Sequence, residues 1–317
     1  MIKQVSQTVW KWWVRIHRHT VSSFSPEGYD LLQTAGIGKF MANSPIELQT
    51  AIRSRKSALL WRQCDRGHQS TYIWREWHME VRGLAHRGYP LKYPENTMLG
   101  FRKALELGFS HLELDVQLTK DGVPVVIHDP TVNRTTNGTG AISDFTLEEI
   151  RKLDAGQGEV IPTLEEALRF AKDRMIVDIE LKQMGDTYPG LEQKVIDVIK
   201  ETGMEKQVFL TSFDHYSIAR ARTLDPDIEL GLVIYGATPS VFPYLEEIGA
   251  RYVSVKYVYV TPSFMEEARK RGIQLIVWTP DDEAVLASLA QYPDLLIVTN
   301  NLEGWARVYK EKNALNA

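Results

Sequence analysis

The sequence predicts a (β/α)8 barrel, the TIM-barrel architecture, with a small insertion after its second strand and an N-terminal extension. Three observations carry that prediction. From residue 81 onward, short apolar runs alternate with amphipathic helical stretches, the rhythm of parallel βαβ units. Setting one short run aside as an accessory strand leaves eight such units, the number that closes a barrel. The rival architecture is an open doubly wound sheet. It ordinarily carries Gly-x-Gly-x-x-Gly after its first strand, and that fingerprint is absent.

Residues 81–86 read as the first strand, short and apolar. Residues 96–107 follow as a helix, because Met98, Phe101 and Leu105 recur at helical spacing and Asn96 or Thr97 stands where a cap belongs. Residues 111–118 form the second strand, and 123–128 the accessory piece, pairing with its end. The stretch 129–159 is too long for a βα loop and contains Asn137-Gly138-Thr139-Gly140, so it reads as a subdomain above the barrel mouth. Strands then follow at 175–181, 208–212, 228–235, 252–255, 274–279 and 295–299. Helices intervene or follow at 163–172, 191–202, 216–224, 240–248, 263–271, 282–290 and 302–312. Many of them open on Ser, Thr, Asp or Asn, as N-caps should.

The 317 residues suit one barrel plus an extension, and 44% apolar with 25% charged residues is an ordinary globular composition. A net charge of −4 argues against a nucleic-acid partner. The single cysteine, Cys64, excludes an internal disulfide and, with no basic cluster marking it, reads as an inert thiol. No run of about 18 apolar residues is present to cross a membrane. Lys11 and Arg15 interrupt what would be a signal sequence's apolar region, so the expected location is the cytoplasm.

Residues 1–80 differ from the rest. Their charge balance is +5 against −9 for the remainder, and six of the eight tryptophans lie there. We read 1–80 as an appended module and 81–317 as the barrel. Ile2, Val5, Val9, Trp12 or Trp13, and Ile16 form a helical stripe that Lys11, Arg15 and Arg18 can flank. Such a stripe either packs on the barrel, seals a homo-oligomer, or lies in a membrane interface through residues 1–20, peripheral to the bilayer.

Chemistry concentrates between Leu84 and Asn133. Glu113 and Asp115 are two apart on a strand and share a face, and Asp178, Glu180 and Lys182 repeat that alternation. Several carboxylates inside a barrel need a cation or a base beside them. Clustered oxygens suit Mg²⁺ or Ca²⁺, whereas ion pairs with Arg or Lys are the plainer alternative. His86 and His128 end apolar strands at the barrel face where active sites sit, and two imidazoles can act as base and acid. Asp129 either orients an imidazole or braces the turn at Pro130. Arg87 can bind phosphate bidentately or pair with a carboxylate. Asn96 is a cap, a ligand or both. Lys182 faces a phosphate or neutralises Glu180. Trp278 walls an alcohol or belongs to the core. His17, His19, His68, His78, His111 and His215 lack metal-like spacing and read as structural or solvated.

These residues resemble the glycerophosphodiester phosphodiesterase family over roughly 81–300. The marks are His86-Arg87-Gly88, Pro94-Glu95-Asn96-Thr97, Glu113-Leu114-Asp115-Val116, Thr119-Lys120-Asp121-Gly122, His128-Asp129, Arg134-Thr135-Thr136-Asn137-Gly138-Thr139-Gly140, Ile161-Pro162-Thr163-Leu164-Glu165-Glu166, Ile179-Glu180-Leu181-Lys182 and Ser212-Phe213. The resemblance implies a (β/α)8 barrel that hydrolyses small glycerophosphodiesters to an alcohol and glycerol 3-phosphate. It implies one divalent cation on Glu113, Asp115 and Glu180, and His86 and His128 as the acid/base pair. It implies phosphate on Arg87 with Lys182 beside it, and Phe213 and Trp278 lining the glycerol or leaving-group side. Two departures stand out. Trp278-Thr279-Pro280-Asp281 replaces a frequent Trp-x-Val-Asn, and Asn300 stands where Asp commonly follows Thr. Both are expected to bear on substrate preference more than on catalysis. The alternatives are lysophospholipase D-type cleavage at a membrane surface and a non-catalytic phosphate-binding or scaffold barrel.

Overall fold

The computed structural model describes residues 80–315. The chain divides into two units, Met1–Ile73 and Trp74–Ala317, and every described residue lies in the second. The expected stripe of residues 2–16 and its membrane or oligomer contacts lie outside the described residues. Among those described, no helix is long and apolar enough to cross a membrane.

Nine strands form one sheet: β1 (Val81–Ala85), β2 (Phe109–Leu118), β3 (Pro124–Val126), β4 (Ile176–Leu181), β5 (Val208–Ser212), β6 (Leu230–Ile234), β7 (Tyr252–Lys256), β8 (Gln274–Trp278) and β9 (Leu296–Thr299). The order β1-β9-β8-β7-β6-β5-β4-β2-β3, with β1 also pairing β2, closes eight parallel strands into a barrel. The ninth strand, β3, is the expected accessory piece, antiparallel to the end of β2 with Val116 opposite Val126.

The helices are α1 (Met98–Glu106), α2 (Leu147–Ile150), α3 (Leu164–Ala171), α4 (Leu191–Thr202), α5 (His215–Leu224), α6 (Val241–Ile248), α7 (Pro262–Lys270), α8 (Glu283–Leu289) and α9 (Leu302–Leu315). Side-chain caps start most of them. Thr97 accepts from the Gly100 N–H, and Thr163 forms a reciprocal capping box with Glu166. Of the two expected cap candidates Thr97 is the cap of α1, which starts at Met98, and Asn96 is freed for another task.

Apolar side chains divide into three groups. The main core lies between strands and helices, with Leu112, Leu114, Val177, Ile179, Phe101 and Leu168 all unexposed. A lumen group, Leu84, Phe209, Ile276, Leu296 and Val298, fills the barrel interior. A third, including Val125, Ile127, Val132, Ile142 and Ile150, gives the insertion its own small core. The alternation on β2 and β4 sends their apolar residues outward to the helices and their carboxylates inward.

Candidate active site

Register assembles the carboxylates. On β2 and β4, Glu113 lies opposite Asp178 and Asp115 opposite Glu180. Ligand oxygens of Glu113, Asp115 and Glu180 all come within 4.8 Å of one another. Burial pushes the Glu113 carboxyl well above its ordinary value, the Asp115 charge adds to that, and Arg87 opposes it. Burial also raises Glu180, partly offset by Lys182. At Asp115 burial acts in the same sense, but Lys182, Arg87 and His128 together outweigh it and hold the carboxyl below the usual range. Three converging hard oxygen donors fit a divalent cation, and the buried Asp115 Oδ1 accepts no hydrogen bond. Asp178, one layer deeper, takes the Thr211 hydroxyl at 2.6 Å and stands outside this cluster.

The turn after β1 brings the basic groups in. Arg87 at φ 53 and Gly88 at φ 86 are both left-handed, so the chain reverses sharply. A Cβ on Gly88 would meet the Gly100 backbone at 2.8 Å, so α1 and this turn fit only with glycine there. The reversal aims the Arg87 N–H at Glu113 Oε2, 2.8 Å away, and the guanidinium at Asp115 Oδ2, 3.2 Å away. Arg87 Nη1 also donates to Glu95 at 3.0 Å. Asn96, at φ 54, donates to Asp115 Oδ2 at 2.8 Å. Asn96 is thus a support for a carboxylate, and its strained backbone belongs to the site. Lys182 Nζ lies 2.7 Å from Glu180 and 3.5 Å from Asp115.

The two imidazoles have different supports. His86 Nδ1 lies 2.7 Å from Asn300 Oδ1, and its Nε2 lies 4.0 Å from Glu113 Oε2. Burial and the nearby Arg87 charge lower its pKa. His128 Nδ1 lies 2.8 Å from Asp129 Oδ1. Asp129 therefore orients the imidazole, and Arg134 grips both its oxygens and Glu95. The Arg134 hydrogen bonds, with His128 adding and burial opposing, hold Asp129 far below the ordinary carboxylate range. Gln117 Nε2 fastens the same turn by donating to the His128 carbonyl at 2.8 Å and the Asp129 carbonyl at 2.6 Å.

The opposite side of the mouth is aromatic. Phe213 and Trp278 have ring centroids 6.0 Å apart, and Tyr235 completes a triangle at 5.1 and 5.7 Å. Trp278 also packs against the lumen group.

All nine expected site residues therefore lie on or directly after strands, the charged groups and imidazoles on one side and the aromatic rings on the other. Sequence reasoning missed the supporting layer: Glu95 and Arg134 as a clamp, Gln117 on the turn, and Tyr235 as third wall. The two departures from the family pattern, Asp281 and Asn300, hydrogen-bond each other at 2.7 Å, with Asn300 against His86. Their deviation from the pattern was the visible signal, and its meaning required the fold.

A barrel with two imidazoles, two cationic side chains and three converging carboxylates gathered together has the groups that a phosphate-ester hydrolase needs. Residues 86–303 match the model of the glycerophosphoryl diester phosphodiesterase family, and the chain belongs to that family. It is 43% identical over 211 residues, 64% of this chain and 87% of the relative, to the glycerophosphodiester phosphodiesterase of Caldanaerobacter subterraneus subsp. tengcongensis. Two solved structures are similar. The glycerophosphodiester phosphodiesterase of Agrobacterium tumefaciens gives a TM-score of 0.64 at 28% identity, covering 72% of this chain and 99% of that one. A phosphodiesterase of Oleispira antarctica, in complex with the product sn-glycerol-3-phosphate, gives 0.64 at 27%, covering 72% and 96%.

Proposed function

We propose that this chain hydrolyses glycerophosphodiesters to an alcohol and sn-glycerol 3-phosphate by His/His acid–base catalysis. The observation that carries the reading is the convergence of three carboxylates within 4.8 Å beside two braced imidazoles at the barrel mouth. Glu113, Asp115 and Glu180 would hold one divalent cation, Mg²⁺ or Ca²⁺, which when bound supplies polarisation of a phosphoryl oxygen. Arg87 and Lys182 bind the phosphate charge. One imidazole takes a proton from the attacking hydroxyl as its oxygen bonds phosphorus. The other gives a proton to the alcohol oxygen as its bond to phosphorus breaks. Attack by water gives glycerol 3-phosphate directly, and attack by the substrate's own glycerol hydroxyl gives a cyclic phosphate that water then opens. Phe213, Tyr235 and Trp278 line the side for the glycerol or leaving group. The test is release of glycerol 3-phosphate from a panel of glycerophosphodiesters in Mg²⁺, Ca²⁺ or EDTA. Turnover with one cation and none in EDTA is expected, and full activity in EDTA would remove the metal assignment.

A second reading keeps the chemistry and changes the leaving group to that of a lysophospholipid. It is favoured by exposed apolar side chains in the segments that follow β4 to β7, among them Met184, Phe213, Tyr216, Tyr235 and Val258. Residues 1–80 would then be an extension whose first 20 residues touch the membrane. Relative turnover of glycerophosphocholine and long-chain lysophosphatidylcholine decides between the two. Liposome co-sedimentation with and without residues 1–20 tests the contact, and equal binding would remove it.

A further inference from the structure

We propose that Asn300, held by Asp281, is a positioning residue that fixes His86 as the tautomer protonated on Nδ1, leaving the Nε2 lone pair turned toward the carboxylate cluster. This rests on the proton-transfer role given to His86 above. The argument follows the hydrogen bonds outward from the imidazole. His86 Nδ1 and Asn300 Oδ1 are 2.7 Å apart, so one of them donates. Asn300 Nδ2 donates to Asp281 Oδ2 at 2.7 Å. Asp281 Oδ1 accepts from the Thr299 hydroxyl and from the Asn300 backbone N–H, both at 2.8 Å. Two donors independent of the Asn300 amide thus converge on Asp281 Oδ1, as befits an accepting carboxylate. An acceptor-only carboxylate dictates which end of the Asn300 amide faces it, namely the nitrogen. The amide oxygen must then face the imidazole, and an amide oxygen only accepts. The proton on that contact belongs to His86 Nδ1, and Nε2, on the far side of the ring near Glu113, carries the lone pair.

The assembly is anchored beyond these groups. Asn301 Nδ2 donates to the Asp281 carbonyl at 3.0 Å, and the Asn301 N–H reaches the Thr299 hydroxyl at 3.0 Å. The His86 N–H pairs with the Thr299 carbonyl at 3.3 Å, continuing the β1–β9 pairing. The imidazole and its partners therefore ride on the ends of three neighbouring strands, β1, β9 and β8. Rotating the Asn300 amide by half a turn would set its NH2 against His86 and leave Asp281 Oδ2 without its donor, so the arrangement resists inversion. The two imidazoles differ in this respect: a neutral amide backs His86, whereas a carboxylate backs His128.

The tautomer can be read directly by two-bond proton–nitrogen correlation on histidine-labelled protein, with His86 assigned by the signals that His86→Gln removes. The expected pattern has a pyrrole-type Nδ1 and a pyridine-type Nε2. In parallel, Asn300→Ala is expected to lower kcat by about 10- to 100-fold with KM changed by less than about threefold, the behaviour of an outer support. The exchange Asp281→Asn with Asn300→Asp keeps an acceptor on Nδ1 and a donor–acceptor pair behind it. It is expected to recover kcat to within about tenfold of the parent. A wild-type His86 protonated on Nε2 would overturn the proposal. So would a parental kcat in Asn300→Ala beside an inactive His86→Ala. Turnover retained by His86→Ala would instead overturn the acid/base reading, and the positioning role would fall with it. The spectrum of the unaltered protein stands even where a variant fails to fold.

Discussion

Glu113 shows how the site balances charge at the scale of one residue. It is buried beside Asp115, Glu180 and Asp178, and the Arg87 charge opposes the resulting upward shift. A neutral amide there relieves repulsion and still accepts the Arg87 N–H. Glu113→Gln is therefore expected to leave the Tm in EDTA unchanged or raised. The parent should gain about 2.7 kcal/mol at a hundredfold excess of cation over Kd, visible as a higher Tm, and Glu113→Gln should lose most of that gain. Thermal melts with and without cation decide it, and an undiminished shift in the variant would remove Glu113 from the ligand set. Single residues also show what composition conceals. The carboxylates and histidines were legible because alternation on a strand puts i and i+2 on one face. Asn96 was not, because its use depends on a left-handed backbone that no pattern announces.

Elements explain how those residues are held. Phe101 on α1 is unexposed, and a Cβ built on Gly88 would stand 3.0 Å from its ring, so it supports the turn that carries Arg87. Phe101→Ala is expected to cost about 3–5 kcal/mol of stability, measured by denaturant unfolding. The insertion acts differently. Arg134 ties it to Asp129 and Glu95 through partly exposed ion pairs, each worth about 0.2–1 kcal/mol. Arg134→Ala should barely shift the Tm, yet lower kcat by roughly tenfold by loosening the support of His128. A large loss of stability with parental kcat would reverse that assignment. Long periodic elements were readable nearly to the residue, as α4 (Leu191–Thr202) and β5 (Val208–Ser212) show. The four-residue α2 was not, because one helical turn carries too few positions to display a period.

Closure of the barrel governs the whole molecule. The lumen group takes Leu84 from β1, Phe209 from β5, Ile276 from β8 and Leu296 and Val298 from β9, so strands distant in sequence share one interior. Leu84→Ala is expected to destabilise by about 2–5 kcal/mol, lowering the Tm by several degrees in a calorimetric scan. An unchanged Tm would mean that closure does not depend on that interior. The strand–helix rhythm, the accessory β3, the carboxylate pairs, the histidines at strand ends and the family were all determined by the sequence alone. Each rests on local periodicity or short motifs, whose physics acts over a few residues. The tertiary structure alone decided that Glu180 of β4 and Lys182 just after it stand beside Asp115 of β2, and that Asn300 and Asp281, about two hundred residues beyond His86, support its imidazole. Hydrogen bonds and ion pairs act over a few ångströms in space, and only barrel closure converts distance along the chain into that proximity.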